Sequence, residues 1–148
     1  MTSLTRIDRR GPAEWLLAAE AFVLLAVFRV GLAVVPVHKL IGAITRGRVG
    51  KDAGDTGEAT ERELATALRV RWAVEAVARH SPMAFVCFPQ TLAAYAMLRR
   101  RGVASTMVYG VARAANGELI AHTWLLVGDR AVVGGEGAGA FAEVERWR

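Results

Sequence analysis

Apolar residues run almost unbroken from Ala13 to Val35 (AEWLLAAEAFVLLAVFRVGLAVV), after an opening of eleven polar, unpatterned residues, MTSLTRIDRRG. Pro12 suits the first turn of a helix, so a helix is predicted from there to about Val35, with residues 1–11 flexible. Pro36 breaks it. Val37, Leu40, Ile41 and Ile44 then recur at helical spacing, which predicts a second, short helix over 37–46 turned back on the first. The glycine-rich, charged stretch from Gly47 to Gly57 reads as a flexible loop inside one domain. Thr60 stands three residues before Glu63, the spacing of a capping box, and opens a third helix reaching about Arg79. Its expected stripe is Leu64, Ala67, Leu68, Arg71, Trp72 and Glu75. A fourth helix is expected from Cys87 to Arg101, with Pro89 tolerated in the first turn, Gly102 as the stop and three arginines at the negative end of the dipole.

From residue 103 the pattern changes to strands. Val103 to Ala112 and Leu119 to Val127 flank Asn116-Gly117, a strong hairpin turn, and Gly128-Asp129 leads into a third strand from Ala131 to Gly134. Helices first and an antiparallel sheet afterwards make an α+β domain, and a chain of 148 residues with 53% hydrophobic content fits one such domain.

Charge refines this outline. Residues 13 to 35 are long and apolar enough to cross a bilayer, but Glu20 and Arg29 interrupt them, each costing roughly 2.5 to 3.5 kcal/mol near a bilayer centre. A basic start with a short apolar core and a small-residue cleavage site is missing, so a signal peptide is not expected. The segment is expected as a core helix, with weak peripheral membrane contact or a face for a partner protein as the remaining alternatives. The formal charge is +5, which attracts anions, yet the arginines are scattered without interleaved aromatic residues. Nucleic-acid binding is therefore not expected, and an acidic peptide partner accounts for the charge equally well. A single cysteine precludes an internal disulfide and makes a reducing cytoplasm the expected compartment.

That cysteine is the first candidate for chemistry. A lone cysteine within Phe85-Val86-Cys87-Phe88 is ordinarily a small buried hydrophobe. At the start of a helix, however, unsatisfied amides and the dipole favour an anion such as a thiolate. The following hairpin carries His122 with Trp124 two residues later on the same face, and an imidazole near a thiol can take its proton. His38, among apolar residues after Pro36, and His80, before Ser81-Pro82, are poorer candidates for a base. A third group should orient the imidazole. A three-residue loop at 128–130 would pair His122 directly with Glu136, about 5 Å apart at their β-carbons, whereas a two-residue loop would turn Glu136 to the other face. A bulge at Gly134-Gly135 would alter either register. Asp129, at the turn, would lie about 20 Å from His122, so Glu136 is the expected third catalytic residue. Metal and cofactor sites are not expected: three dispersed histidines and one cysteine lack ligand spacing, and Gly134-Gly135-Glu136-Gly137 lacks the lysine and hydroxyl of a phosphate loop.

Taken together, Cys87-Phe88-Pro89-Gln90-Thr91-Leu92-Ala93, Leu98-Arg99-Arg100-Arg101-Gly102-Val103, Tyr109-Gly110-Val111 and Ala121-His122-Thr123-Trp124 resemble the transglutaminase-like domain of lasso-peptide maturation proteases. Glu14-Trp15-Leu16-Leu17-Ala18-Ala19-Glu20, with Arg29 and Leu32, resembles that family's helical start, so the likeness spans most of the chain. It implies a transglutaminase-like or papain-like fold and a cysteine peptidase that removes the leader of a ribosomally made precursor, after which a separate ATP-dependent cyclase closes the ring. The nucleophile falls on Cys87 and the base on His122. The family's acid, about twelve residues after the histidine, falls on Gly134, and Glu136 is the nearest acid. Because the chain reaches the protease helix almost at once, it resembles the stand-alone form, which is served by a separate leader-recognition protein. Transglutaminase-like acyl transfer to an amine and a non-catalytic peptide-binding module are the competing expectations.

Overall fold

The computed structural model describes residues 11–45, 58–81 and 87–148. Residues 1–10 and 46–57, where flexible segments were expected, and the approach to the fourth helix at 82–86 lie outside the described residues. Four helices precede a sheet: α1 (Pro12–Val34), α2 (Val37–Thr45), α3 (Glu61–His80) and α4 (Cys87–Arg100), followed by β1 (Thr106–Arg113), β2 (Leu119–Val127), β3 (Arg130–Val133) and β4 (Ala142–Trp147). The expected α+β architecture is present.

The helix ends follow local chemistry. The Gly11 amide donates to the Glu14 carboxylate at 3.0 Å, which satisfies one free donor at the start of α1. At α3 the Thr60 hydroxyl accepts from the Glu63 amide (3.2 Å) while the Glu63 carboxylate accepts from the Thr60 amide (2.8 Å), a reciprocal cap whose loss costs about 1 kcal/mol. α4 ends on Gly102 at φ +71°. There the Val103 amide donates to Leu98 and the Gly102 amide to Arg99, each at 3.0 Å. This closure draws Val103 into the helix cap and explains why β1 starts at Thr106 instead of Val103.

α4 is the centre of the molecule. Leu92, Ala93, Ala94, Met97 and Leu98 are wholly buried, packed between α1 and α3 on one side and the sheet on the other. The strands lie in the order β3-β2-β1-β4, all neighbours antiparallel. Thr123, Leu125 and Val127 of β2 alternate with His122 and Trp124, and Leu125 and Val127 belong to the core shared with the helices. His122 and Trp124 therefore occupy the other face.

The α1 expectation needs correction. Leu17, Ala21, Leu25 and Phe28 are buried against α3 and α4, but the outward side is bare, with Leu16 72% and Val34 74% exposed. A helix apolar on all sides reads as fully buried, whereas here only one side is packed. In α3 the buried residues are Ala67, Val70, Ala73 and Val74, so the core stripe lies to one side of the expected one and Leu68 is exposed.

Glu20 of α1 accepts from Arg101 at 2.6 Å and lies 3.3 Å from Arg100, tying α1 to the end of α4. The hydrogen bond from Arg101 lowers the Glu20 pKa below its ordinary value of 4.5, against the opposing effect of partial burial. A carboxylate held low when folded adds stability above its unfolded pKa and loses it as the pH falls through the folded value. Wild type should therefore lose more Tm than Glu20→Gln on acidification below about pH 4.5, a difference that thermal denaturation at a series of pH values will read.

Candidate active site

Cys87 is the first residue of α4, with Pro89 in the same turn, where a missing proline N–H costs no helical hydrogen bond. It is partly exposed. Its thiol is thus at the free-amide end of a helix and accessible, the position an attacking group requires.

His122 comes to the lining of the same cavity from the sheet. β2 and β3 join through a two-residue turn, because Val127 pairs with Arg130, and the register then shifts so that Leu125 pairs with Val133. The extra residue on β3 restores the pairing that a three-residue loop would have given. β3 ends there, leaving the edge of β2 beside His122 free of a β3 partner. Gly134, at φ +69°, turns the chain so that its carbonyl accepts from His122 Nε2 at 2.6 Å. A carbonyl can only accept, so the proton is assigned to Nε2 and Nδ1 retains its lone pair. The ring is stacked near Trp124 (centroids 6.0 Å apart) and tilted against Phe141 (5.1 Å).

Cys87, His122 and Glu136 all line one cavity of about 820 Å³. Its other walls include Gln90 and, from α3, Arg71, Glu75 and Arg79. Arg71 and Glu75, read from sequence as part of the core stripe, instead form a 2.8 Å ion pair on this wall. Glu136 is exposed on the cavity edge, and the hydrogen bond that orients the histidine comes from the Gly134 backbone. Asp129 sits in the exposed turn, and His38 and His80 lie on α2 and at the end of α3. Among the described residues, no three His, Cys, Asp or Glu side chains gather as a metal site.

Several supporting residues escaped the sequence reading. Gly110 pairs with His122 across β1 and β2. A β-carbon there would come within 2.8 Å of the Trp124 ring, so the glycine leaves room for the aromatic wall behind the imidazole. A glycine inside a strand is the sequence signal for such a close approach. The Thr91 hydroxyl, wholly buried one turn into α4, donates to the Cys87 carbonyl at 2.9 Å. It also meets the Thr123 hydroxyl at 3.1 Å. With the Thr91 proton committed to the carbonyl, Thr123 is the donor between them. The pair fixes the cysteine turn to the residue beside His122.

Thr91→Val should remove that tie and leave the Thr123 hydroxyl buried without its partner, at about 1–3 kcal/mol. Tm should fall by about 2–4 °C per kcal/mol, and alkylation of Cys87 by iodoacetamide should change rate, with Thr91→Ser close to wild type in both assays.

Neither a curated protein nor a solved structure matches the chain. Residues 22–146 match the model of the transglutaminase-like superfamily, whose members include cysteine proteases and acyltransferases. That match takes in α4 with its leading cysteine and all but the last residue of the sheet with its histidine, and the chain belongs to the transglutaminase-like superfamily.

Proposed function

We propose that the chain is a cysteine peptidase that removes the leader from a ribosomally made lasso-peptide precursor. The observation that carries this reading is Cys87 on the first turn of α4 sharing a cavity with His122, whose Nε2 is committed to a carbonyl. The other ring nitrogen is thereby left basic, as a general base requires.

In the reaction, the Cys87 thiol gives its proton to His122 and its sulfur forms a bond to the carbonyl carbon of the leader–core amide. The tetrahedral oxyanion receives a hydrogen bond from the Cys87 amide at the helix start. His122 then returns the proton to the departing amine, the C–N bond breaks and the core is released. Water hydrolyses the remaining thioester, restoring the thiol and freeing the leader as an acid. The charged groups on the cavity wall, Arg71, Glu75, Arg79 and Glu136, suit a polar peptide. A separate recognition protein presents the leader, a cyclase takes the released core, and a reducing cytoplasm keeps Cys87 a thiol.

Incubation with precursor and recognition protein, read by mass spectrometry, tests the assignment. Leader acid and core amine should appear, and prior alkylation of Cys87 should prevent both. A product in which an added amine replaces water would assign acyl transfer instead, and an intact precursor together with an unreactive Cys87 would mark a binding module.

A further inference from the structure

The outward side of α1 is the largest feature that this chemistry does not use. At 100° per residue, Trp15, Leu16, Phe22, Val23, Val30 and Val34 fall within one arc, and all are exposed, Trp15, Leu16, Val30 and Val34 by more than 60%. From Trp15 to Val34 the helix carries this stripe over about 29 Å. On one margin of the arc, between Trp15 and Val34, lies Arg29. On the opposite margin, Glu20 holds Arg100 and Arg101, and the Arg100 side chain is 68% exposed.

These observations narrow the occupant. Leu17, Ala21, Leu25 and Phe28 tie the inner side into the core, so crossing a bilayer would require extracting α1 from the domain. A helix lying in the plane of a lipid surface buries an apolar face between cationic margins. The chain's charge of +5 adds attraction to anionic headgroups.

We propose that the outer face of α1 docks the folded domain on the surface of an anionic membrane. The proposal does not depend on the peptidase reading, and Cys87→Ala should dock like wild type.

Flotation of the full chain with phosphatidylcholine vesicles, with and without phosphatidylglycerol, tests it. Wild type should float with the anionic vesicles. Val23→Glu combined with Val30→Glu, both at exposed positions, should reduce partitioning about a hundredfold at an unchanged Tm. Arg29→Glu should weaken binding to the anionic vesicles alone. The proposal is overturned if wild type stays with the lipid-free fraction, or if the double variant floats equally well. It is also overturned if light scattering without lipid finds a dimer that the double variant abolishes, since a second copy would then cover the stripe.

Discussion

Replacing Cys87 with alanine is expected to bring leader removal to the uncatalysed background, a loss of at least about 10⁴-fold in kcat. The thioester route has no other thiol in this chain, since Cys87 is the single cysteine. His122→Ala should fall almost as far. Without the imidazole the thiol keeps its proton and the departing amine has no acid, so both halves of the acyl transfer slow. The double variant should be no worse than the more damaged single variant, because nucleophile and base act as one unit. Tm of Cys87→Ala should stay close to wild type, since the side chain is only partly buried. His38→Ala and His80→Ala, both at exposed positions, should keep wild-type activity. Single-turnover assays with precursor and recognition protein read all of these, and a Cys87→Ala enzyme within tenfold of wild type would sink the covalent mechanism.

Much of this arrangement is legible in the sequence because it is written locally. Pro12, Pro36 and the Thr60/Glu63 pair punctuate the helices, Gly102 stops α4, and Leu119 to Val127 is found as a strand with the predicted ends. β4 escaped because Ala142 to Arg146 are all exposed. An edge strand outside the core lacks the apolar run that marks a central strand, and all it offers is the four-residue alternation Ala142-Glu143-Val144-Glu145. The sequence also could not weigh how much of α1 the rest of the chain covers, since periodicity identifies apolar sides without revealing which of them finds a partner. At the site, side chains were easier to see than backbone. Cys87 and His122 stand out by residue type, but the group bonded to His122 is a carbonyl, which every residue possesses. Its placement depends on a register shift in β3 and a positive φ at Gly134, and only the glycine itself hints at either. The Thr91–Thr123 tie is similarly hidden, because two residues 32 apart meet only once α4 has packed on β2.

Gly134→Ala is therefore expected to be the most damaging substitution outside the reacting pair. A methyl group there would lie 2.6 Å from the Thr123 carbonyl oxygen, on a backbone at φ +69°, a conformation that costs a side-chain-bearing residue about 1–2 kcal/mol before any clash. The chain must shift to relieve the overlap, and the carbonyl that accepts from His122 shifts with it. Displacing a catalytic group by about 1 Å costs on the order of a hundredfold, so kcat should drop by about that factor while KM changes little. Tm should fall as well, by about 2–4 °C for each kcal/mol of strain. Glu136→Gln supplies the contrast. Its side chain is exposed on the cavity rim, and the loss expected there is within about threefold, the scale of a screened surface charge. The ratio of the two effects identifies the group that orients the imidazole. A large loss for Glu136→Gln with Gly134→Ala nearly normal would transfer that role to the carboxylate, which would then have to swing toward His122 when substrate fills the cavity.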